Sequence, residues 1–312
     1  MTDPVLTDWC EDKRAEFRRG VVTARHRLHR DPAFSDAALA ELIERHPREL
    51  CDFCTMGDDP ADRESWRAGD PGDLDGETLI EAVRNGKLWI NLREAMNVDP
   101  VYKPLFDKLI SQLRTLNPGY HPVRPYAGIL ISSPGAQVFY HADVSETFLL
   151  HVKGRKRFRI YPPNAPYVTE EALEAILHMD QTEDIPYDPA WDADAAQIDL
   201  GPGDMAAWPL HAPHRVENLD GLNVSIACEV VTRESVMKNA VLHANGALRR
   251  AGFTPRSTRA DGVQAYAKLA LSKGVKAARK VFALNARPMP KSETTFDVDP
   301  AAGTGFRDRA AA

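Results

Sequence analysis

The chain has 312 residues, of which 43% are hydrophobic, and its formal net charge is -6. This length allows one large domain or two ordinary ones, with enough apolar side chains to form a core. The acidic balance argues against a general nucleic-acid or membrane-surface binder, because such proteins usually present a basic face. We therefore predict neither nucleic acid nor membrane among its partners.

The sequence shows no recognisable targeting signal and few cysteines, which predicts a cytoplasmic protein. The first residues lack the charged and then apolar pattern of a secretion signal, and no run approaches the roughly 18 apolar residues of a membrane span. Cys51 and Cys54 form a CxxC without a second pair nearby, so a zinc or redox site is weakly supported. We interpret them as reduced, partly buried cysteines at helix ends, with mild redox sensitivity as the alternative.

The first 120 residues are predicted to be mostly helical and to pack on the domain that follows. Charged residues alternate with apolar ones over residues 10–30, which predicts a solvated amphipathic helix. The Gly- and Pro-rich segment 56–76 is expected to be an exposed loop. Further helices are predicted after Ser35, over 78–85 and over 100–116, with one strand over 87–92.

Short β-type runs bounded by Gly, Pro and Asp dominate residues 121–233. An acidic insertion over 170–194 interrupts them. Many short strands with tight turns and no alternating helices indicate a β-sandwich or jelly roll. The predicted strands cover 126–133, 147–152, 157–161, 197–200, 205–208, 215–218 and 222–231.

Helix-forming residues return in the last region, 234–312. Helices are predicted over 236–250 and 262–284, followed by a tail that is ordered only if it docks. These C-terminal helices could form a homodimer interface. An apolar stripe serves an intramolecular core equally well, so both interpretations stay open.

Three candidate metal ligands lie in the β-rich region. His141 and Asp143 are two residues apart, so on an extended strand both side chains leave the same face. The turn-rich segment 203–213 leads to His214 at the start of another strand, although His211 is an alternative third ligand. Two imidazoles and one carboxylate suit non-haem Fe(II) and O2, while Zn(II) or Mn(II) hydrolase or isomerase chemistry would use the same ligand types.

A lysine lies on the apolar face of a predicted strand. Alternation along 155–161 places three arginines on one face and leaves Lys156 with apolar residues on the other. A buried amine is costly unless it meets an anion. Lys156 is therefore a candidate anion ligand, and the alternative is a lysine on an edge strand that reaches solvent or pairs with a structural carboxylate.

Two motifs resemble the signature patterns of the cupin superfamily. The first pattern is glycine, five residues and His-x-His, and it is met by Gly135 and the pair His141 and Asp143, with Asp replacing the second histidine. The usual cupin glutamate falls near Thr147. Gly154 matches the closing glycine of this pattern.

The second cupin pattern is glycine, five residues, proline, four residues, histidine, three residues and asparagine. It is met by the following residues: Gly203, Pro209, His214 and Asn218. An internal glycine of the pattern is replaced by His211. This spacing favours His214 over His211 as the metal ligand, and a histidine just outside a metal shell often has a supporting role.

The combination is similar to the jumonji-C-like branch of Fe(II)- and 2-oxoglutarate-dependent oxygenases. The resemblance implies a mainly β fold, a double-stranded β-helix barrel with helical N- and C-terminal extensions. It implies that His141, Asp143 and His214 hold Fe(II) and act in catalysis. A basic residue at about the place of Lys156 binds the distal carboxylate of 2-oxoglutarate in that branch, and Thr147 lies where a polar residue is close to this co-substrate.

The strand over 222–230 offers further candidate contacts. Asn223 and Ser225 share one face with Ala227, so they are candidate 2-oxoglutarate contacts if that face points into the barrel. Ala227 falls where a related asparaginyl hydroxylase has an asparagine. The resemblance implies an oxygenase that uses O2 to hydroxylate a protein, peptide or small molecule. The contrasting hypothesis is a non-enzymatic, metal-binding cupin-like regulator or interaction protein.

Overall fold

A computed structural model of the chain describes residues 3–281 and 293–310. The helices are α1 (Glu11–Glu16), α2 (Asp36–Arg45), α3 (Gly76–Asn85), α4 (Ala95–Val98), α5 (Lys103–Leu116), α6 (Glu170–Leu177), α7 (Arg233–Arg250) and α8 (Gly262–Val281). The strands are β1 (Val22–Arg25), β2 (Cys51–Thr55), β3 (Arg67–Asp70), β4 (Trp89–Leu92), β5 (Pro122–Ser132), β6 (Gln137–His141), β7 (Glu146–Ile160), β8 (Ala196–Leu200), β9 (Asp204–Ala207), β10 (His214–Thr232), β11 (Thr294–Val298) and β12 (Phe306–Asp308). Short 3-10 helices cover Leu28–Arg30, Pro32–Phe34, Arg48–Leu50, Arg63–Ser65 and Pro189–Asp194.

Two long strands, β7 and β10, are antiparallel neighbours along most of their length and belong to two layers at once. The first half of β7 and the second half of β10 lie in a large sheet with the order β1-β9-β7-β10-β5-β4-β2-β3. Their other halves pair with β8 and β6 in a smaller layer. Two sheets that share long, bent strands form the predicted jelly roll, so the predicted fold class of a mainly β barrel with flanking helices is confirmed.

Glycines allow the bend between the two layers. The β7–β10 ladder shifts its register between Asn218 and Ser225, and Gly154 and Gly221 beside this shift have φ of 76° and 68°. That backbone region is open to glycine at no steric cost. A Cβ atom on Gly154 would also come within 2.8 Å of the Leu222 carbonyl oxygen. The bend turns the carboxyl half of β7 over the metal-ligand candidates.

The amino-terminal region contains strands that sequence patterns did not reveal. The predicted helix over residues 10–30 is wrong, because only α1 forms and Arg18 has a φ of 71° that ends it. The chain then enters β1, where Val22 and Ala24 are buried and pair with β9. Pairing with a strand distant in sequence thus overrides the local charge pattern.

The CxxC lies on a strand that directly follows a short helix. Cys51 and Cys54 are free, buried thiols in β2, and Cys51 also caps the end of the 3-10 helix Arg48–Leu50, whereas Cys54 is not at a helix end. Burial raises the pKa of the Cys54 thiol to about 12. A thiol with so high a pKa is protonated at neutral pH and is a poor nucleophile.

A carboxyl-terminal strand pairs with a strand of the amino-terminal region. After α7 and α8, strand β11 pairs in parallel with β3 and in antiparallel fashion with β12. The predicted helix end at 282–284 lies outside the described residues. Across the described ranges, no helix combines the length and hydropathy needed to cross a bilayer.

A half-buried ion pair attaches the acidic insertion to the smaller layer. Arg215 on β10 contacts Asp192, and its Nε lies 3.2 Å from the Tyr161 hydroxyl oxygen. Burial by itself would raise the pKa of Asp192. The hydrogen bond from Arg215 and further contacts outweigh burial and lower this pKa to about 2.

We expect Arg215→Met to lower the free energy of unfolding by about 2 kcal/mol, because it removes the charge-assisted hydrogen bonds to Asp192 and leaves that carboxylate only the longer contact with Arg159 Nε at 3.4 Å. Urea unfolding monitored by circular dichroism measures this loss. Arg155→Met is the matched control, since Arg155 pairs with Asp220 at the surface and such pairs contribute about 1 kcal/mol or less. Equal unfolding midpoints for the two variants would contradict this role.

Candidate metal centre and its cavity

Strand pairing brings the predicted metal ligands together. His141 ends β6 and His214 begins β10, and the two residues lie opposite each other in the β6–β10 ladder. Asp143 follows in the turn after β6. Its two carboxylate oxygens lie 3.7 Å from His141 Nε2 and 3.6 Å from His214 Nε2. One donor atom from each residue lies within 4.8 Å of the others, whereas His211 is outside this cluster.

Backbone contacts leave one nitrogen of each ligand histidine free. His141 Nδ1 lies 2.7 Å from the Phe139 carbonyl oxygen, and His214 Nδ1 lies 3.2 Å from that of Ala212. A carbonyl only accepts, so each Nδ1 carries the proton and each Nε2 keeps a lone pair. Burial lowers the pKa of His214 to about 4, which keeps its ring neutral as metal binding requires.

The carboxylate of Asp143 completes a donor set that fits a divalent cation. Its Oδ2 is buried and has no hydrogen-bond partner among residues 3–281 and 293–310. A buried carboxylate oxygen without a partner is unfavourable unless an ion compensates it. Two neutral imidazoles and one carboxylate on one side of such an ion leave its other side open to the cavity.

That cavity has a volume of about 800 Å³ and contains a buried amine. Lys156 is only 3% exposed and lines the cavity, on the same face of β7 as Phe158, as alternation predicts. Within the described part of the chain its amine forms neither a hydrogen bond nor an ion pair. Burial lowers the pKa of this amine to about 7. An unpaired cationic group at this position is suited to bind an anion.

The other predicted contacts separate into two groups. Thr147 lines the cavity and its hydroxyl lies 3.2 Å from the Ser145 carbonyl oxygen. Ser225 and Asn223 do not line the cavity, and both are fully buried. Ser225 Oγ lies 3.0 Å from His151 Nδ1, and Asn223 Nδ2 donates to the backbone at the β7–β10 bend.

Two carboxylates near the metal ligands were missed by the sequence analysis. Glu183 and Glu229 line the cavity, and in the described ranges neither forms an ion pair. Burial, followed by the charges of Asp143 and Glu229, raises the pKa of Glu183 to about 7. Glu229 also accepts from the Tyr126 hydroxyl. These acids lie beside the candidate metal ligands, so their negative charge favours the Lys156 end of the cavity for an anion.

A local signal existed for only one of these acids. Glu229 is two residues after Ala227 and therefore shares its inward face, so alternation along β10 could have revealed it. Glu183 lies in the irregular acidic insertion, where its carbonyl oxygen accepts from Ala142 N–H at 3.1 Å. No periodic pattern predicts such a contact.

A second cavity of about 880 Å³ borders the other side of His141. Its wall includes Trp66 and Trp89, whose ring centroids are 4.7 Å apart in an edge-to-face arrangement. Trp89, His141 and Glu183 line both cavities. The metal-ligand cluster is therefore approached from two sides, one with a buried amine and one with aromatic walls.

Fold, motif spacing and ligand cluster together define a cupin-like domain. Residues 84–228 match the family profile of the cupin-like domain. The match includes His141, Asp143, Lys156 and His214.

Solved structures from Escherichia coli share the fold. The X-ray structure of ycfD has a TM-score of 0.51 and 18% identity, and the match covers 93% of this chain and 70% of that one. YcfD is described as a ribosomal oxygenase, and its complex with cobalt and 2-oxoglutarate has a TM-score of 0.50 and 15% identity, with 91% and 68% covered. These similarities concern the fold. A comparison with curated protein sequences gives no match.

Proposed function

We propose that the protein is an Fe(II)- and 2-oxoglutarate-dependent oxygenase that hydroxylates a protein, peptide or small-molecule substrate. The observation that carries the proposal is one cavity that holds an open three-ligand cluster and the buried amine of Lys156, which has no ion-pair partner among the residues that the structure describes. A structural metal site would need no such amine. A co-substrate with a metal-chelating end and a distant carboxylate would use both.

The residues of the cavity have distinct proposed roles. His141, Asp143 and His214 would hold Fe(II) from one side and leave its other side for co-substrate and O2. Lys156 would bind the distal carboxylate of 2-oxoglutarate, with the Thr147 hydroxyl beside it. When bound there, iron and 2-oxoglutarate would supply O2 activation, with one oxygen atom going to succinate, CO2 released and the other oxygen atom going to a substrate C–H bond.

The E. coli relative supports the co-substrate assignment by analogy. YcfD is described in complex with cobalt and 2-oxoglutarate, and it has the same fold. The analogy is one of fold, so the assignment to this chain rests on its own cavity. The role predicted for Asn223 and Ser225 as co-substrate contacts remains a prediction, as does the cytoplasmic location.

The substrate would approach through the aromatic cavity. That cavity borders His141 and has room for a side chain together with part of its backbone. The relative is described as a ribosomal oxygenase, which favours a protein or peptide substrate by analogy. Trp66 and Trp89 would contact apolar parts of this substrate.

A direct test is reconstitution of the full chain with Fe(II) and 2-oxoglutarate without oxygen, followed by addition of O2. We expect succinate to form, and to form faster with a peptide fraction of cell extract than without it. The same experiment with Zn(II) is the control, because Zn(II) has no redox chemistry. A protein that binds metal but has no affinity for 2-oxoglutarate would instead be the non-enzymatic regulator.

We also propose a homodimer through the C-terminal helices. Apolar side chains are unusually exposed there, with Phe253 at 63%, Val263 at 88% and Tyr266 at 65%. We expect light scattering to give twice the chain mass, and Tyr266→Glu to give the monomer mass with an unchanged circular dichroism spectrum. Monomeric wild-type protein at micromolar concentration would contradict the dimer.

A further inference from the structure

His211 has a backbone conformation that favours glycine. Its φ is 68°, and the cupin pattern has a glycine at this position. A side chain in this left-handed region costs about 1 kcal/mol, so other contacts must compensate it. One such contact is visible: His211 Nε2 lies 2.8 Å from Oδ1 of Asn239 on α7.

Asn239 has a second partner on the other side of the metal-ligand cluster. Its Nδ2 lies 2.6 Å from the carbonyl oxygen of Val144, the residue after Asp143. Because a carbonyl only accepts, the amide nitrogen of Asn239 must face Val144 and its oxygen must face His211. His211 therefore donates from Nε2, and all three groups are satisfied by one arrangement of protons.

The two partners belong to the two turns that carry metal ligands. Val144 follows Asp143 in the turn between β6 and β7, and His211 lies in the turn that leads from β9 to His214. Strand pairing aligns His141 with His214 but leaves Asp143 outside any strand. Asn239 links these two turns through direct side-chain hydrogen bonds.

Helix α7 is suited to hold such a link in place. Its N-terminus has a reciprocal capping box between Thr232 and Ser235. Thr232 Oγ1 also donates to Glu146 Oε1 at 2.7 Å, where β7 begins. The helix is thus attached to the β6–β7 turn at two points, of which only the Asn239 contact is adjacent to a metal ligand.

We propose that Asn239 is a positioning residue of the metal centre, which fixes the distance between the Asp143 turn and the His214 turn. This inference rests on the metal site of the proposed function. It assigns α7 a role beyond packing. Partners that orient metal ligands without touching the metal typically change metal affinity by about 10- to 100-fold when they are removed.

The experiment measures Co(II) binding to the full-length protein by calorimetry and by the visible absorption of the bound ion. We expect Asn239→Leu, which keeps the side-chain size but removes both hydrogen bonds, to weaken Co(II) binding about 10-fold or more and to alter the absorption spectrum. His211→Gly should also weaken binding while its melting temperature stays at or above the wild-type value, because glycine relieves the backbone strain.

Two control variants separate positioning from general stability. Thr232→Val removes the other contact between α7 and the β6–β7 turn, and Val236→Ala changes an exposed residue of the same helix. We expect Thr232→Val to lower the melting temperature with little change in Co(II) affinity, and Val236→Ala to change neither.

The outcomes distinguish this inference from the proposed function. Wild-type affinity and spectrum in both Asn239→Leu and His211→Gly would overturn the positioning role and leave the metal site intact. An equal loss of affinity in Thr232→Val would also overturn it, because helix docking alone would then explain the effect. Absence of Co(II) binding by the wild-type protein would overturn the proposed function itself.

Discussion

Asp143→Ala is expected to reduce succinate formation to the level of a protein-free blank and to abolish stoichiometric Co(II) binding. The substitution removes the only carboxylate of the ligand cluster within the described ranges, and two imidazoles alone hold a divalent ion weakly. Succinate quantified after oxygen addition and Co(II) calorimetry provide the two measurements.

A surface acid gives the matched control for this experiment. Asp220→Ala removes a carboxylate whose only ion pair within residues 3–281 and 293–310 is with Arg155 at the surface, at 3.3 Å. It should leave metal binding and succinate formation unchanged. The assignment of the metal ligands would be wrong if the Asp143 variant turned over 2-oxoglutarate as fast as wild-type protein.

The second large effect is expected for Lys156→Met. Methionine preserves much of the buried apolar volume but removes the charge, and loss of one partner from a desolvated ion pair costs about 3 kcal/mol. That cost corresponds to an affinity for 2-oxoglutarate about 100-fold weaker, with Co(II) binding unchanged. Calorimetric titration of the Co(II)-loaded protein with 2-oxoglutarate measures the change.

The neighbouring residue provides the control. Arg155→Met removes a cation from the opposite, solvent-facing side of β7 and should leave the affinity at the wild-type value. If both variants bound 2-oxoglutarate equally well, Lys156 would be a structural lysine and the anion site would have to lie elsewhere.

The lowered pKa of Lys156 also predicts how this affinity depends on pH. Burial places the pKa at about 7 in the unliganded protein, and only the protonated amine attracts a carboxylate. Affinity should therefore be highest below pH 7 and fall as pH rises above it, by up to about 10-fold per pH unit. Lys156→Met should lose this component of the pH dependence, since it has no proton to take up.

The centre of the fold could be predicted from sequence because its signals are local. Two-residue alternation places Lys156 inward, and motif spacing selects His214 over His211 as the third ligand. The first depends on strand geometry alone, whereas the second depends on the resemblance to the spacing of the cupin pattern. The structure brings these side chains to one cavity, as the patterns indicate.

The parts that could not be predicted depend on contacts distant in sequence. Strand β1 exists because β9 pairs with it, and its charged neighbours resemble a helix until that partner is known. Alternation places Ser225 on the inward face. How deep its side chain lies in the barrel is determined by the β7–β10 bend and by the hydrogen bond with His151. Glu183 reaches the cavity through an irregular insertion without periodicity.

The parallel pairing of β11 with β3 attaches the carboxyl-terminal strands to the amino-terminal region at one sheet margin. Phe296 fills the space above Gly69 so closely that a Cβ atom there would lie 2.0 Å from its ring. A shortened protein that stops before residue 294 would expose the backbone amides of β3, which invites edge-to-edge aggregation. Such aggregates would imitate oligomers, so purification tags are best attached without trimming this segment.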